Sequence, residues 1–396
     1  MHKILHVVTD TNIGGAGKLL LTFLANVSRT EFDVAVVLPA ASLLKPELVK
    51  LGIKTIETKG ISDKSFSLSG VKHLRAIFKK EQPHIVHTHA ALSGRLAARL
   101  TKTSAKSKMK VVHTRHSVHT RQSLREEPVY KKHFPYKHIV GALNNYLSDI
   151  IVATSPVAKL SMVETGANQK KTIMIYNGID GLRHISNEGK LAMRHKYGIA
   201  QEDFVCTILA RIEVVKGHKS VLKAAEMVQR EDKGVKFLIA GEGSEEGAMR
   251  QLAAELGLQN CIFTGFVKDV SEVLNITDLQ LNASVNETTN LALLEGLSLG
   301  VPAIASDRGG NPFVINDGIN GVLFEEGDYV ALAKGILSLR GNPDELAKLS
   351  TKATEIFRER FDSKVMTAKV ERIYRDLLSQ DKTEQKTDDD KPEVRN

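Results

Sequence analysis

Glycines and charged residues follow four successive predicted strands in the second half of the chain. They are Arg211 with Lys216, then Gly241 with Gly243, then Gly265-Phe266-Val267, and then the stretch from Glu287 to Glu295. In an open α/β sheet, ligands bind beyond the carboxyl ends of the strands. Four such loops in succession therefore predict that these residues converge on one ligand.

Arg211 and Lys216 are suited to binding a diphosphate. A guanidinium fork and an ammonium group neutralise phosphate charge, and we expect no neighbouring acid to compete for them. Taken singly, each residue could equally be a surface cation.

Glu287 and Glu295 lie eight residues apart around the start of a predicted helix, 291–299. Glu287 falls in the loop before the helix and Glu295 two turns inside it, so they can face different parts of an extended ligand. The backbone N–H groups of Asn290 and Leu291 add an anion site at the helix start. Carboxylates also accept hydrogen bonds from sugar hydroxyls. The alternative is a solvated helix face.

The first loop, 12–18, joins a strand directly to an apolar helix. Its Gly14, Gly15 and Gly17 would let a ligand approach the backbone, where the helix N-terminus attracts an anion. The loop matches neither the Walker A pattern nor GxGxxG. A tight strand-to-helix turn is the alternative.

These residues lie on a chain in which short β-rich runs alternate with helical periods, which is typical of βαβ units with a parallel sheet. Strands are predicted at 3–9, 33–38, 85–88, 110–114, 149–153 and 172–175, and again at 204–209, 235–240, 261–264, 279–282 and 302–305. The pattern predicts two doubly wound Rossmann-like domains, 1–180 and 181–362, with a hinge in 177–190. A C-terminal helix over 363–380, clearest at 365–378, precedes a polar tail, 381–396, that is predicted to be disordered.

The composition is that of an ordinary globular chain, with 396 residues, 42% hydrophobic and 26% charged. Its two cysteines, Cys206 and Cys261, suggest neither a disulfide framework nor a zinc site, which fits a reducing cytoplasm. The longest apolar run is far short of the ~20 residues that a membrane span needs, and the N-terminus does not resemble a signal peptide. We therefore expect a cytoplasmic protein.

Charge is distributed unevenly along the chain. Residues 1–180 carry 27 lysines and arginines against 12 acids, whereas the remainder carries 28 against 34. The densest basic stretch has two acids, Glu126 and Glu127, against ten basic residues: Lys102, Lys106, Lys108, Lys110, Arg115, Arg121, Arg125, Lys131, Lys132 and Lys137. It predicts contact with an anionic membrane surface, although solvated loops would also explain it. Nucleic acid is disfavoured because few aromatic residues accompany the basic ones.

The chain resembles the retaining GT-B glycosyltransferases of family 4 (glycosyl transferases group 1) over about residues 1–380. The matching stretches are Gly14-Gly15-Ala16-Gly17, His116, Asn177-Gly178-Ile179-Asp180, Ala210-Arg211 with Lys216-Gly217, Gly241-Glu242-Gly243, Gly265-Phe266, Glu287 with Glu295, and Leu299-Gly300-Val301-Pro302. Two positions depart from the family pattern. Thr289-Asn290 replaces Phe-Gly, and Phe313 replaces a Glu. Because Asn tolerates a left-handed conformation, we expect the loop to persist.

The resemblance implies a GT-B fold, in which two Rossmann-like domains face each other across a cleft that binds a nucleotide-sugar donor. Carried over by motif, Arg211 and Lys216 hold the diphosphate, Glu295 the ribose and Glu287 the transferred sugar. The backbone of 265–267, with Phe266 and Val267, holds the base. Gly15 and its neighbours border the phosphate and the acceptor, and His116 contacts the sugar near the reacting carbon. The C-terminal helix would return to the first domain.

Histidines raise the question of a metal, since 11 of 14 precede residue 181. His87 and His89 share one face of a strand, and His113 ends another. No cysteine or paired carboxylate accompanies them at ligand spacing, so we expect neither a metal nor a cofactor. His116 is expected to face the cleft, and the others, including His119, to be structural or to face the acceptor.

The sequence thus predicts a retaining, metal-independent glycosyltransferase. It would move a hexose or N-acetylhexosamine from a nucleoside-diphosphate sugar, most simply a UDP-sugar, to a cell-envelope glycan or lipid-linked acceptor. It would work in the cytoplasm, peripherally at the inner face of the cell membrane. The alternatives are a nucleotide-sugar epimerase on the same scaffold and a non-enzymatic two-domain sugar-binding protein. A dinucleotide oxidoreductase is disfavoured because GxGxxG is missing from the sequence.

Overall fold

The computed structural model describes residues 1–104, 107–116, 134–285, 287 and 289–389. They form two compact units. The first contains the described residues up to Gly178 and those from Ser363 onward, and the second runs from Ile179 to Asp362. Within the described residues, the chain passes from one unit to the other at 178/179 and at 362/363, where the sequence predicts boundaries at 180/181 and 362/363.

The first unit is built on a parallel sheet of seven strands. They are β1 (His2–Val7), β2 (Phe32–Pro39), β3 (Lys54–Thr58), β4 (Ile85–His89), β5 (Lys110–Arg115), β6 (Ile150–Ala153) and β7 (Thr172–Met174). Their order in the sheet is β3-β2-β1-β4-β5-β6-β7. The sequence does not predict β3, because its residues, KTIET, lack an apolar run. As an edge strand it pairs on one side only, where charged side chains are tolerated.

Helices cover both faces of this sheet. They are α1 (Gly15–Asn26), α2 (Leu44–Lys50), α3 (Leu68–Glu81), α4 (Leu92–Ser104), α5 (Phe134–Leu147), α6 (Pro156–Glu164) and the C-terminal helix (Ser363–Asp389). Side chains alternate along each strand, so Ile4 and Val8 pack with α1 and the C-terminal helix, whereas Leu5 and Val7 pack with α3 and α4. Both faces are therefore buried, as a parallel sheet requires.

The C-terminal helix packs on the first unit through Met366, Val370, Tyr374 and Leu377, all buried in one core with α1. The helix is longer than predicted. It continues to Asp389, past residue 381, where the sequence predicts that a disordered tail begins. This segment contains Gln, Lys and Glu, which favour helix even without an apolar face. The rest of the tail, 390–396, lies outside the described residues.

The second unit has a six-stranded parallel sheet. Its strands are β8 (Phe204–Leu209), β9 (Val235–Ala240), β10 (Cys261–Gly265), β11 (Leu279–Asn282), β12 (Ala303–Ser306) and β13 (Gly321–Phe324), in the order β10-β9-β8-β11-β12-β13. The sequence does not predict β13, an edge strand of only four residues.

The helices of the second unit are α7 (Asn187–Lys196), α8 (His218–Glu231), α9 (Glu246–Glu255), α10 (Val270–Leu274), α11 (Leu291–Ser298), α12 (Asn311–Val314), α13 (Tyr329–Arg340) and α14 (Pro343–Ile356). Val221, Leu222, Ala225 and Val228, the predicted apolar face of α8, are all buried. The predicted fold class, two Rossmann-like α/β units, is confirmed. Among the described residues, the helices are too short or too polar to cross a membrane.

Candidate functional site

In the second unit, the loops after two neighbouring strands, β8 and β11, bring a lysine and a glutamate together. Lys216 ends a short 3₁₀ turn, and Glu287 lies between β11 and α11. Lys216 Nζ donates to Glu287 Oε1 at 2.5 Å, and the two side chains are only 18% and 13% exposed. The same oxygen accepts hydrogen bonds from Ser284 Oγ at 3.1 Å and Asn290 Nδ2 at 3.3 Å. Three donors therefore hold this carboxylate in place.

Arg211 also has an acidic partner. One of its guanidinium nitrogens lies 2.6 Å from Glu213 Oε1. The expectation that no acid competes for Arg211 and Lys216 is therefore wrong. Strand β11 lies beside β8 in the sheet and brings Glu287 to Lys216 across 71 residues. The Arg211 side chain is 75% exposed, and such exposed pairs contribute little energy, so its guanidinium can exchange Glu213 for a ligand anion.

Gly241 and Gly243 follow β9 and lie against the loop that carries Arg211. A Cβ atom on Gly241 would come within 2.0 Å of the Ala210 carbonyl oxygen, and one on Gly243 within 2.2 Å of that of Ile212. Gly241 also has a φ of 141°, which side chains rarely adopt. These glycines allow two loops of the protein to pack closely, and they thereby position Arg211. Direct contact with a ligand stays a prediction.

Gly309 and Gly310, after β12, hold the loop that carries Glu287. The N–H of Gly310 donates to the Glu287 carbonyl oxygen at 2.7 Å. Gly309 has a φ of 57°, and a Cβ atom there would lie 2.5 Å from the Glu287 backbone nitrogen and oxygen. From the sequence alone, Gly309 and Gly310 are not predicted to belong to the site. Their signal was the Gly-Gly-x-Pro run just before Phe313.

Helix α11 begins beside Glu287. The Asn290 side chain caps it by accepting a hydrogen bond from the Leu293 N–H at 3.4 Å, with φ at −82°. Asn290 therefore takes the place of the family's glycine by capping the helix, and it does so without a left-handed conformation. Thr289, Leu291 and Glu295 are all partly exposed at this end of the helix. Glu295 is the fifth residue of α11, a little over one turn into the helix rather than two.

The segment Gly265-Phe266-Val267 begins at the last residue of β10. The backbone N–H of Phe266 donates to Glu242 Oε1 at 3.1 Å, so the loops after β9 and β10 are joined by a side chain to which the sequence alone assigns no role. The ring of Phe266 is 71% exposed, whereas Val267 packs against a core cluster of the second unit. This arrangement leaves an exposed aromatic ring next to a fixed backbone.

In the first unit, Gly14 and Gly15 mark the start of α1. A Cβ atom on either residue would meet nothing within 4 Å, and Gly14 has a φ of −90° that any residue can adopt. The turn itself therefore does not require glycine at these two positions. This favours the prediction that they let a ligand approach the backbone over the alternative that they only form a tight strand-to-helix turn. Gly17 differs. It is buried, and its Cβ would meet Leu44 at 3.1 Å, so it serves packing.

His116 follows β5 and joins a cluster of histidines in the first unit. Its Nε2 lies 3.0 Å from His89 Nδ1, and its Nδ1 is buried without a hydrogen-bond partner among the described residues. Burial lowers the pKa of His116 to about 4 and that of His6 to about 3. These rings are therefore neutral at pH 7.

Three histidines of this cluster, His6, His87 and His89, have ring nitrogens within 4.8 Å of one another, close enough to hold a metal ion. His6 is not predicted from the sequence to join this cluster, because its partners are distant along the chain. All six nitrogens of the three rings already have hydrogen-bond partners: His6 and His89 are bonded to each other, and the remaining nitrogens are bonded to His116, Thr114 and Tyr374. A metal ion would have to displace these bonds.

The basic stretch is only partly described. Lys102 pairs with Asp149 at 3.6 Å, Lys108 is exposed, and burial lowers the pKa of Arg115. Lys106, His119, Arg121, Arg125, Lys131 and Lys132 lie outside the described residues, as does the side chain of Lys137.

The protein has two Rossmann-like units, and the carboxyl-end loops of the second unit carry a lysine–glutamate pair and an arginine. These features define the class of protein: a GT-B glycosyltransferase. The family model described as "Glycosyl transferases group 1" matches residues 189–356, and that described as "Glycosyltransferase Family 4" matches residues 13–181. The chain belongs to the group 1 glycosyltransferases.

Curated relatives and solved structures agree with this assignment. The chain is 27% identical over 284 residues to the putative glycosyltransferase EpsD of Bacillus subtilis, covering 72% of this chain and 74% of that protein. It is 27% identical over 325 residues to the N-acetyl-alpha-D-glucosaminyl L-malate synthase of Bacillus anthracis, covering 80% and 81%. Anabaena Alr3699/HepE, solved in complex with UDP and glucose, shares the fold with a TM-score of 0.74 at 20% identity, covering 95% and 100%.

Proposed function

We propose that this glycosyltransferase moves a hexose or N-acetylhexosamine from a UDP-sugar to a cell-envelope glycan or lipid-linked acceptor, with retention of anomeric configuration and without a metal ion. The observation that carries the proposal is the largely buried Lys216–Glu287 pair. Lys216 lies on the loop after β8, which also carries Arg211. The structural neighbour solved with UDP and glucose supports the choice of donor. The alpha-linked glucosaminyl group in the name of one relative supports retention.

Each side chain has a role in donor binding. Arg211 and Lys216 bind the diphosphate, because both are cations on loops at the carboxyl end of the sheet. Glu287 accepts hydrogen bonds from the transferred sugar, and Glu295 accepts them from the ribose. The exposed Phe266 and the backbone through Val267 bind the base. The start of α11 offers N–H groups to the phosphates.

Transfer breaks the bond between the anomeric carbon and the diphosphate oxygen. The acceptor hydroxyl oxygen forms the new bond to that carbon, and its proton passes to the departing diphosphate. Negative charge develops on the departing UDP. Arg211, Lys216 and the start of α11 stabilise that charge because they are held in place before the reaction. In this proposal the cations supply the stabilisation that a metal ion supplies in other enzymes.

The first unit contributes the acceptor side. Gly14 and Gly15 leave open space at the start of α1, and His116 contacts the sugar near the reacting carbon. The positive charge of residues 1–180 suits a phosphorylated lipid acceptor and peripheral association with the inner face of the cell membrane.

The test measures thermal unfolding with UDP, GDP, ADP and NAD, with and without EDTA, because a ligand that binds only the folded state raises the melting temperature. UDP release from UDP-glucose, UDP-galactose and UDP-N-acetylglucosamine is then followed with a lipid or glycan acceptor. We expect stabilisation by UDP that survives EDTA, and UDP release that depends on acceptor. Stabilisation by NAD alone, or activity abolished by EDTA, would contradict the proposal.

The epimerase alternative gives a different result in the same experiment. An epimerase converts the free donor without acceptor and releases no new glycoside, which NMR of the donor detects directly. A sugar-binding protein would bind free sugar and ignore UDP.

A further inference from the structure

A continuous chain of hydrogen bonds runs through the core of the first unit and ends at His116. Its members lie on three neighbouring strands. Because side chains alternate, His6 on β1, His87 and His89 on β4, and Thr114 and His116 at the end of β5 share one face of the sheet. The register places His6 opposite His87 and His89 opposite Thr114.

The C-terminal helix contributes the hydroxyl at which the chain branches. Tyr374 is fully buried, and its Oη lies 2.6 Å from His87 Nδ1 and 3.4 Å from His6 Nε2. One branch ends at Thr114 Oγ1, 2.7 Å from His87 Nε2. The other continues from His6 Nδ1 to His89 Nε2 at 3.0 Å, and from His89 Nδ1 to His116 Nε2 at 3.0 Å.

All four rings are neutral, because burial lowers the pKa of each histidine well below its usual value. A neutral imidazole has one N–H donor and one acceptor nitrogen. Each ring in the branch from Tyr374 to His116 therefore accepts on one side and donates on the other. The whole branch has only two arrangements, and the proton position on any ring sets the others.

The phenol selects between the two arrangements. A phenol O–H is a better donor than an imidazole N–H, and an imidazole nitrogen is a better acceptor than a phenol oxygen. The short 2.6 Å contact is therefore an O–H···N bond from Tyr374 to His87 Nδ1. The single phenol proton is then used, so Tyr374 Oη accepts from His6 Nε2–H. His6 Nδ1 accepts from His89 Nε2–H, and His89 Nδ1 accepts from His116 Nε2–H.

We infer that Tyr374 fixes the tautomer of His116 through His6 and His89, so that Nε2 carries the proton and Nδ1 is presented as an acceptor for a hydroxyl of the transferred sugar. The inference rests on the proposed function for the identity of the ligand but not for the tautomer. His116 lines a cavity of about 40 Å³ with Asn177 and Thr154, room for about one water-sized group. Tyr374, His6 and His89 are positioning residues, and His116 is the residue that touches substrate.

The experiment is ¹⁵N NMR of the histidine side chains in the full-length protein, with His116 assigned by substitution. We expect His116 Nε2 to give the signal of an N–H nitrogen and Nδ1 that of an unprotonated nitrogen. Tyr374→Phe removes the phenol and keeps the ring contacts with Phe23 and Phe32. It should move a measurable fraction of His116 to the Nδ1–H tautomer. His89→Phe cuts the chain next to His116 and should have the same effect.

Thr88→Val is the matched control. It removes a buried hydroxyl of β4 that contacts His113 and belongs to neither branch, so the His116 signals should not change. A wild-type His116 with its proton on Nδ1, or signals that Tyr374→Phe and His89→Phe leave unchanged, would overturn the inference. The NMR result is independent of transfer. If no UDP-sugar is turned over, the proposed function fails while the tautomer assignment is still decided.

Discussion

The Lys216 ammonium group lies 2.5 Å from Glu287 Oε1, and both side chains are largely buried. In the proposed function Lys216 binds the diphosphate and Glu287 the transferred sugar, so two groups proposed to bind the donor are paired with each other. The pair keeps both side chains in place when no donor is bound, and each limits the freedom of the other. Substitutions that remove one partner should therefore affect binding and transfer differently.

Glu287→Ala should abolish transfer and leave nucleotide binding intact. The carboxylate contacts the sugar in the proposed site, and its loss also frees Lys216 for the diphosphate. We expect turnover to fall by about 100-fold or more, the range measured for removal of one preorganised group at a reacting centre, while the affinity for UDP is equal or higher. Turnover assays and calorimetric titration with UDP measure the two effects. Glu355→Ala, which removes an exposed pair with Lys352 on α14, is the control, and unchanged transfer by Glu287→Ala would refute the assigned role.

Arg211→Ala should weaken UDP binding itself. A hydrogen bond to a charged group is worth about 1.5–3 kcal/mol, which corresponds to about a 10- to 100-fold increase in Kd. Glu295→Ala should also weaken binding, through the ribose. Arg250→Ala is a suitable control, because Arg250 pairs with Glu246 on the surface of α9. Equal UDP affinity in Arg211→Ala and Arg250→Ala would argue against a diphosphate site at Arg211.

Gly241→Ala should destabilise the second unit strongly. The new Cβ would collide with the Ala210 carbonyl oxygen, and the backbone would be forced to hold an alanine at a φ of 141°. We expect a loss of more than about 3 kcal/mol in the free energy of unfolding. Gly247→Ala, on α9 with nothing within 4 Å of its Cβ, should be neutral or stabilising. Similar melting temperatures for the two variants would contradict the packing role of Gly241.

Acid should destabilise the first unit before its carboxylates titrate. Burial lowers the pKa of His6 to about 3 and of His116 to about 4, and the pKa values of His87, His89 and His113 are also lowered. The unfolded histidines bind protons below about pH 6.5 while the folded ones do not, so stability is fully present above that pH and falls below it. For each pH unit below about 6.5, each buried histidine should lower the free energy of unfolding by about 1.4 kcal/mol.

The free energy of unfolding between pH 6.5 and 5.0 tests this effect. Replacing the buried His113 with Gln should reduce the slope. A free energy of unfolding that stays constant over this range would show that the histidines are not held neutral.

Membrane binding should depend on charge in the first half of the chain. We expect binding to vesicles that contain an anionic lipid, weakened by salt and by charge reversal at Lys106, Lys108, Arg121 and Arg125, because each basic residue near such a surface contributes about 1 kcal/mol. Reversal at Arg230, Lys233 and Lys236, which surround a groove of the second unit, is the control. Co-sedimentation measures the bound fraction. If the two sets of charge reversals weaken vesicle binding equally, the prediction that residues 102–137 contact the membrane is wrong.

Local patterns in the sequence were enough to predict most elements of both sheets and the apolar face of α8. Strong apolar runs such as those of β1 and β8 need no partner to be recognised. The two missed strands, β3 and β13, are short edge strands that pair on one side only. Their formation depends on a neighbouring strand, which a local pattern does not contain.

The sequence by itself determined the fold class and the order of the loops that carry Arg211, Lys216, Glu287 and Glu295. Only the tertiary structure decided which partners these groups have. Lys216 meets Glu287 because β8 and β11 are adjacent, and His6 joins His89 because β1 lies beside β4. Secondary structure follows from interactions between residues close in the chain. A hydrogen bond or an ion pair between distant residues depends on strand order and register, which arise only when the whole sheet has formed.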